Sequence, residues 1–181
     1  NSSNTGMVQQ APATNDNSTE DSIQQNSSHY SILILTGSPG QTKSIIEGYK
    51  LALKDGYKFN LSLFTLDELR SNDPQIDMAA LEASRKANVI LIEMISVSRE
   101  KINPILDVTS AKKIVAIHTG NAFKNDPRVG ADNATVSYIW KQRGPENLKR
   151  MMLLLLRDAG MQLRKGENLT PISSVKNFVY H

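Results

Sequence analysis

The sequence predicts an α/β fold: an open three-layer sandwich built on a parallel sheet with helices on both faces. Three observations carry this. Short continuous apolar runs occur at Ser31–Thr36, Asn88–Ile95 and Lys113–Thr119, as expected of strands buried on both faces. Apolar residues at helical spacing fill the stretches between strands. Strand and helix alternate four times, which calls for crossover connections and hence parallel strands.

Ser31–Thr36 (SILILT) stops at Gly37-Ser38-Pro39-Gly40. A helix follows from Thr42 to Lys54, with Ile45, Ile46, Tyr49, Ala52 and Leu53 on one side and Gly56 at the position that ends helices. Lys58–Phe64 alternates Phe59, Leu61 and Leu63, so one face is wetter and a place at the sheet edge follows. Thr65-Leu66-Asp67-Glu68 reads as a capping box. Asp77–Lys86 is the next helix, then the strand Asn88–Ile95, then a helix capped by Ser98 and running to Thr109 with Ile102, Ile105 and Leu106 inward. Lys113–Thr119 (KIVAIHT) ends at Gly120-Asn121. Right-handed crossovers then leave a flavodoxin-like or Rossmann-like sheet, with strand order 2-1-3-4 the simplest.

The last third departs from this alternation. Val136–Trp140 is a short aromatic segment, and Gly144-Pro145-Glu146-Asn147 opens a helix with proline in its first position. That helix runs to Ala159 and stops at Gly160. Leu148, Met151, Met152, Leu155 and Leu156 share a face, while Leu153 and Leu154 fall off it. Such a helix is either central to this domain or docks its second face on a further domain or partner. Phe178-Val179-Tyr180-His181 is an apolar, strand-like end without a closing cap, as in a chain cut from something longer.

Charge divides the chain in two. Residues 1–30 carry three acids and no Lys or Arg; the rest carries 21 basic and 15 acidic side chains, a net +6. Asn, Ser, Thr and Gln supply 18 of those first 30 residues, too polar a composition to offset ordering entropy. Residues 1–29 therefore read as a disordered leader and residues 30–181 as the α/β domain. The leader resembles the spacer after a removed signal peptide or membrane anchor, and the sequons at Asn1, Asn17 and Asn26 suit an exported chain or arise by chance. With no cysteine, disulfide frameworks, thiolate zinc sites, iron–sulfur ligation and cysteine catalysis are excluded. No apolar run approaches the roughly 20 residues of a spanning helix. The basic residues are scattered and lack interleaved aromatics, so nucleic acid is not an expected partner.

Four places carry candidate chemistry. The loop Gly37-Ser38-Pro39-Gly40-Gln41-Thr42-Lys43-Ser44 approximates a phosphate-binding loop, but Thr42 stands where the second glycine is required. It reads as a tight strand–helix turn or as an anion cradle at a helix start, with Gly37, Ser38 and Gly40 as its contacts. His118 closes the fourth strand beside Gly120 and Asn121, where open α/β sheets bind ligands, and suits a general base, a cobalt ligand or a strand-end hydrogen bond. Glu93 lies inside an apolar run and needs a partner, a lysine being one choice. Asn121–Asp132 is a polar loop suited to a lid or an interface. No His pair has metal-ligand spacing within one element, and no Ser/His/Asp spacing suggests a triad.

Tyr138-Ile139-Trp140, then Gly144-Pro145-Glu146-Asn147-Leu148, a Met/Leu-rich helix and a final Tyr180-His181 resemble the N-terminal part of the large cobaltochelatase subunits, relatives of the magnesium-chelatase H subunit. The Ala87–Ile90 pattern (Ala-Asn-Val-Ile) is similar as well, so the resemblance spans residues 31–181. It implies a very large subunit that binds a corrin or porphyrin macrocycle. Two smaller partner subunits would hydrolyse ATP so that Co²⁺, or Mg²⁺ in the sister branch, is inserted. It places the metal-handling residues outside this chain, leaves the fragment itself without catalysis or a cofactor, and makes the downstream domains of the same chain its neighbours. Gly144, Glu146 and Asn147 are then helix-start residues, Glu146 neutralising exposed amides, and Tyr180 and His181 mark the entry to the next domain. The family implies the cytoplasm, whereas the polar leader suits the cell surface. On the second footing the chain is a surface-held corrinoid-, tetrapyrrole- or metal-binding module. A third expectation is a small enzyme holding a phosphorylated ligand at Gly37–Lys43.

Overall fold

The computed structural model describes residues 7–9, 29–94, 99–130 and 133–173. Five strands form one sheet: β1 (Met7–Gln9), β2 (Ser31–Thr36), β3 (Asn60–Thr65), β4 (Val89–Glu93) and β5 (Lys113–Ile117), in the order β1-β3-β2-β4-β5. The helices are α1 (Thr42–Lys54), α2 (Leu66–Leu69), α3 (Pro74–Lys86), α4 (Arg99–Asp107), α5 (Ala134–Gln142) and α6 (Pro145–Asp158). β2, β3, β4 and β5 are parallel throughout, with Thr36 opposite both Thr65 and Glu93. The four long strands thus take the 2-1-3-4 order of a flavodoxin-like sheet.

Strand alternation sorts the side chains into two cores. Ile32, Ile34, Leu61, Leu63, Val89, Leu91, Val115 and Ile117 face α1, α5 and α6. Leu33, Leu35, Phe64, Ile90, Ile92, Ile114 and Ala116 face α2, α3 and α4. Each fully buried aliphatic side chain contributes about 1.5–3 kcal/mol, so both helical layers are held by the sheet they cover.

The leader is not structureless along its whole length, as the sequence suggested: Met7–Gln9 pairs antiparallel with β3, Val8 opposite Ser62. β3 is therefore second from the edge and not the edge itself. An outer strand exposes unpaired backbone groups that a short extended segment can satisfy, and Met7-Val8 interrupts an otherwise polar tract. The sequons at Asn1, Asn17 and Asn26 lie outside the described residues.

Local signals set most helix ends. Thr65 and Glu68 form the expected capping box. α3 starts three residues before the expected Asp77, because Asp73 accepts a hydrogen bond from the Gln75 amide and Pro74 occupies the first turn. Ser98, the expected cap of α4, lies outside the described residues, as do Phe178, Tyr180 and His181. The aromatic segment at Val136–Trp140 is the body of α5, capped by the Asn133 side chain, which accepts from the Val136 amide at 3.0 Å.

α6 is central. Apart from Arg150, its residues from Asn147 to Leu156 are buried, and Leu153 and Leu154 are 0% and 8% exposed. The docking of a second face on a missing domain is therefore not required. This chain covers that face itself, as Tyr30, Leu163 and Leu169 pack on the same core. The covering segment is tied down at Tyr57, whose hydroxyl donates to Glu167 (2.5 Å) and accepts from the Arg164 amide (2.9 Å). Burial, then the Glu167 contact, pushes the Tyr57 hydroxyl up to about 12. On the other side α6 crosses α1 at Gly48, where an added Cβ would lie 2.7 Å from the Pro145 carbonyl oxygen.

Candidate functional site

In a sheet of this order the chain leaves β2 towards one edge and later returns to β4, so the loops after β2 and β4 diverge at a switch point. Open α/β sheets bind ligands there. Thr36, Ser38 and Glu93 occupy that point. Glu93 is 2% exposed, and its partner is not a lysine but a set of uncharged groups and one imidazole. Thr36 Oγ1 donates to one carboxylate oxygen at 2.8 Å and Ser38 Oγ to the other at 3.0 Å. His118 Nδ1 stands 3.3 Å from the second oxygen, and His118 Nε2 stands 2.9 Å from Ser137 Oγ on α5.

The direction of these bonds follows from the donors. Both Glu93 oxygens already accept hydroxyl protons, so Nδ1 carries the imidazole proton towards Glu93 and Nε2 accepts from Ser137. His118 lies just past β5 with φ +61, a left-handed conformation uncommon for a residue other than glycine. Gln41 adds a second tie between the β2 loop and α5, its side-chain amide donating to the Trp140 carbonyl at 2.9 Å. α5 thus roofs the switch point through two hydrogen bonds.

The loop at Gly37 is organised inward. The Gly37 amide donates to the Glu93 carbonyl (2.6 Å), the Ser38 amide to Thr36 Oγ1 (2.9 Å) and the Gln41 amide to the Ser38 carbonyl (3.0 Å). Pro39–Gln41 is a 3-10 turn leading directly into α1. An anion cradle needs such amides free, and a carboxylate lies beneath them, so the arrangement is that of a tight strand–helix turn. Gly40 is exposed, with open space around it.

The candidate residues divide between the faces of the sheet. Ser38 and His118 meet through Glu93 on the α5 side. Gly120 and Asn121 instead line a cleft of about 490 Å³ with Ala116, Phe123 and Lys124, two of which belong to the opposite core. The polar loop beyond Asn121 is pinned rather than lid-like. Asp126 accepts from Arg99 (2.8 Å) and Arg128 (2.9 Å), and Arg99 lies 4.3 Å over the Phe123 ring. The Arg128 hydrogen bond, against the opposing effect of burial, holds the Asp126 carboxyl well below the usual range.

The residues from Tyr138 to Asn147 serve the α5–α6 junction. Tyr138 is half-exposed and Trp140 is buried. Gly144 caps α6 at φ +87. Glu146 pairs with Lys149 (3.0 Å) and Arg150 (3.1 Å) rather than with free amides. Burial opposes its charge, but these two cations outweigh it and lower its pKa. Asn147 is buried, and its carboxamide donates to the carbonyls of Arg143 and Ile172 and accepts from the Ile172 amide at 2.7 Å. It clamps Ile172, and Arg150 donates to the nearby Thr170 carbonyl.

Sequence reasoning did not single out Thr36 or Ser137. A hydroxyl at a strand end or within a helix carries no signal until the fold brings it to a partner. Among the described residues no helix is long and apolar enough to cross a membrane, and no three His, Asp or Glu side chains converge as a metal set. No family model matches this chain, and no curated protein is significantly similar to it.

Proposed function

We propose that this chain is the N-terminal α/β domain of the large, macrocycle-binding subunit of an ATP-dependent chelatase, which inserts cobalt or magnesium into a corrin or porphyrin ring. The domain carries no insertion chemistry of its own and serves as a shielding or interaction module beside later domains. The observation that carries this is the Gly144-Pro145-Glu146-Asn147 helix start. It resembles the family's pattern, and Asn147 fixes Ile172, in the stretch that precedes Tyr180-His181 in the sequence. Ion and macrocycle are substrates here, and ATP belongs to the two smaller partner subunits. Thr42 and the inward-turned amides of the Gly37 loop accord with that division. The test is ATP-dependent metal insertion by the full-length chain with its two partner subunits. Insertion that falls when residues 30–173 are deleted supports the proposal, and a full-length chain that neither inserts metal nor binds a metal-free corrin or porphyrin overturns it.

One observation favours a second reading, a surface-held module that binds a corrinoid, tetrapyrrole or metal. His118 is an imidazole whose Nδ1 is held by a carboxylate, and a metal would take the place of the Ser137 hydroxyl proton at Nε2. A macrocycle supplies the other donors, so one such histidine suffices. Titration with a cobalt corrinoid tests this: the absorption shift should require His118, and no shift, or the same shift in His118→Ala, rejects it.

A further inference from the structure

Ser137, His118 and Glu93 form an unbroken hydrogen-bonded chain that metal insertion does not use. Ser137 Oγ lies 2.9 Å from Nε2, and Nδ1 lies 3.3 Å from the carboxylate. Hydroxyl, imidazole and carboxylate stand in the order needed to activate an oxygen nucleophile, with the base oriented by a third group. The three come from α5, the end of β5 and the end of β4, so the juxtaposition is a product of the tertiary fold.

We propose that Ser137, His118 and Glu93 are a nucleophilic acyl-transfer site acting on small carboxylic esters. Three further features support it. Glu93 is 2% exposed and is fixed by the hydroxyls of Thr36 and Ser38, so it orients the imidazole from a rigid, water-poor position. His118 is held at φ +61, and strain of that kind persists where the surroundings over-determine it, as they do at active sites. Ser137 is partly exposed and one turn from the amino end of α5, whose positive field favours the anion that forms on a carbonyl oxygen under attack.

In the first half-reaction Ser137 Oγ bonds to the ester carbonyl carbon while His118 Nε2 takes its proton. The tetrahedral anion collapses, the bond to the leaving alcohol oxygen breaks, and Nε2 returns the proton to that oxygen. Water then attacks the Ser137 ester, its proton passing to Nε2 and on to Ser137 Oγ, which releases the carboxylic acid. Water is the sole co-reactant and no redox change occurs. The proposal is independent of the chelatase reading, because it rests on the α5–sheet contact and not on the α6 motif.

The test is to incubate the 181-residue chain with a fluorophosphonate and, separately, with p-nitrophenyl acetate. The expected result is one phosphonyl group, located on Ser137 by peptide mass spectrometry, together with turnover of the ester. Ser137→Ala should abolish both, and His118→Ala should lower turnover by roughly a thousandfold or more. Glu93→Gln, which keeps one acceptor oxygen but puts an amide NH2 where the other stood, should lower turnover at least about tenfold in protein shown to be folded by circular dichroism. A tether between Ser137 and His118 with no chemistry would give the same hydrogen bonds and none of this reactivity. Absence of label on Ser137, absence of turnover, or turnover that survives in Ser137→Ala overturns the proposal.

Discussion

Gly48→Ala should destabilise the domain even though alanine is the better helix former. Gly48 lies within α1, where the substitution alone would contribute about 0.5–1 kcal/mol in its favour. The added Cβ, however, would stand 2.7 Å from the Pro145 carbonyl oxygen and 2.8 Å from the Lys149 amide nitrogen, both backbone atoms of α6. Ordinary contact begins at 3.4 Å, so the two helices must part by about 0.7 Å. A gap of 0.5–1 Å forfeits roughly a quarter to a half of the dispersion energy along the parted surfaces. That surface is large, since α6 buries Leu148, Met151, Met152 and Leu155. Overpacking of this kind costs about 1–3 kcal/mol, more than the helix preference returns. The net loss should be about 1–2 kcal/mol, read as a lower urea midpoint with an unchanged slope. For a domain of this size it is a fall of roughly 2–8 °C in the thermal midpoint. Gly40→Ala is the control, because nothing lies within 4 Å of its added Cβ. A Gly48→Ala variant as stable as the parent, or more so, would refute the close α1–α6 crossing.

Other perturbations probe separate contacts. Asn147→Ala removes three hydrogen bonds at a 5% exposed residue and should cost about 2–3 kcal/mol, with the Ile172 amide exchanging faster than in the parent. Arg143 precedes α6 at φ +63, so Arg143→Gly should raise stability by about 1 kcal/mol in a urea titration. Asp126 has a lowered pKa, so its contribution is present above pH 3.8 and is lost as the pH falls through its folded value; Asp126→Asn should be less stable at neutral pH and lose less between pH 4 and lower values. Tyr57 has a raised pKa, so its contribution is complete below pH 10 and is lost as the pH rises through about 12; a Tyr57→Phe unfolding series should show a shallower alkaline decline.

Patterning that acts over a few residues was legible without a structure. The capping box at Thr65–Glu68, proline in the first turn of α6 and glycine after α1 and α6 all hold, because each satisfies helix-end groups within a turn. Glu93 was legible as a problem, a carboxylate in an apolar strand, but not as a solution. Its partners Thr36, Ser38 and His118 lie 57, 55 and 25 residues away. The Gly37 loop read as a tight turn or as an anion cradle, and the inward direction of its amides makes it the turn. His118, Gly120 and Asn121 looked like one cluster, and the twist at φ +61 sent them to different faces.

The sequence by itself determined the class of the fold and the order of its long strands. Continuous apolar runs demand burial on both faces, and short alternating elements leave few right-handed ways to achieve it. Tertiary structure decided three things. The polar leader closes the sheet edge at Met7–Gln9. The helix α6, apolar over most of its circumference, is covered by its own chain. The chemistry at the switch point is a carboxylate, an imidazole and hydroxyls drawn from four elements. Hydrogen-bond partners that far apart in the chain are selected by the geometry of packed layers, which no local pattern of residues encodes.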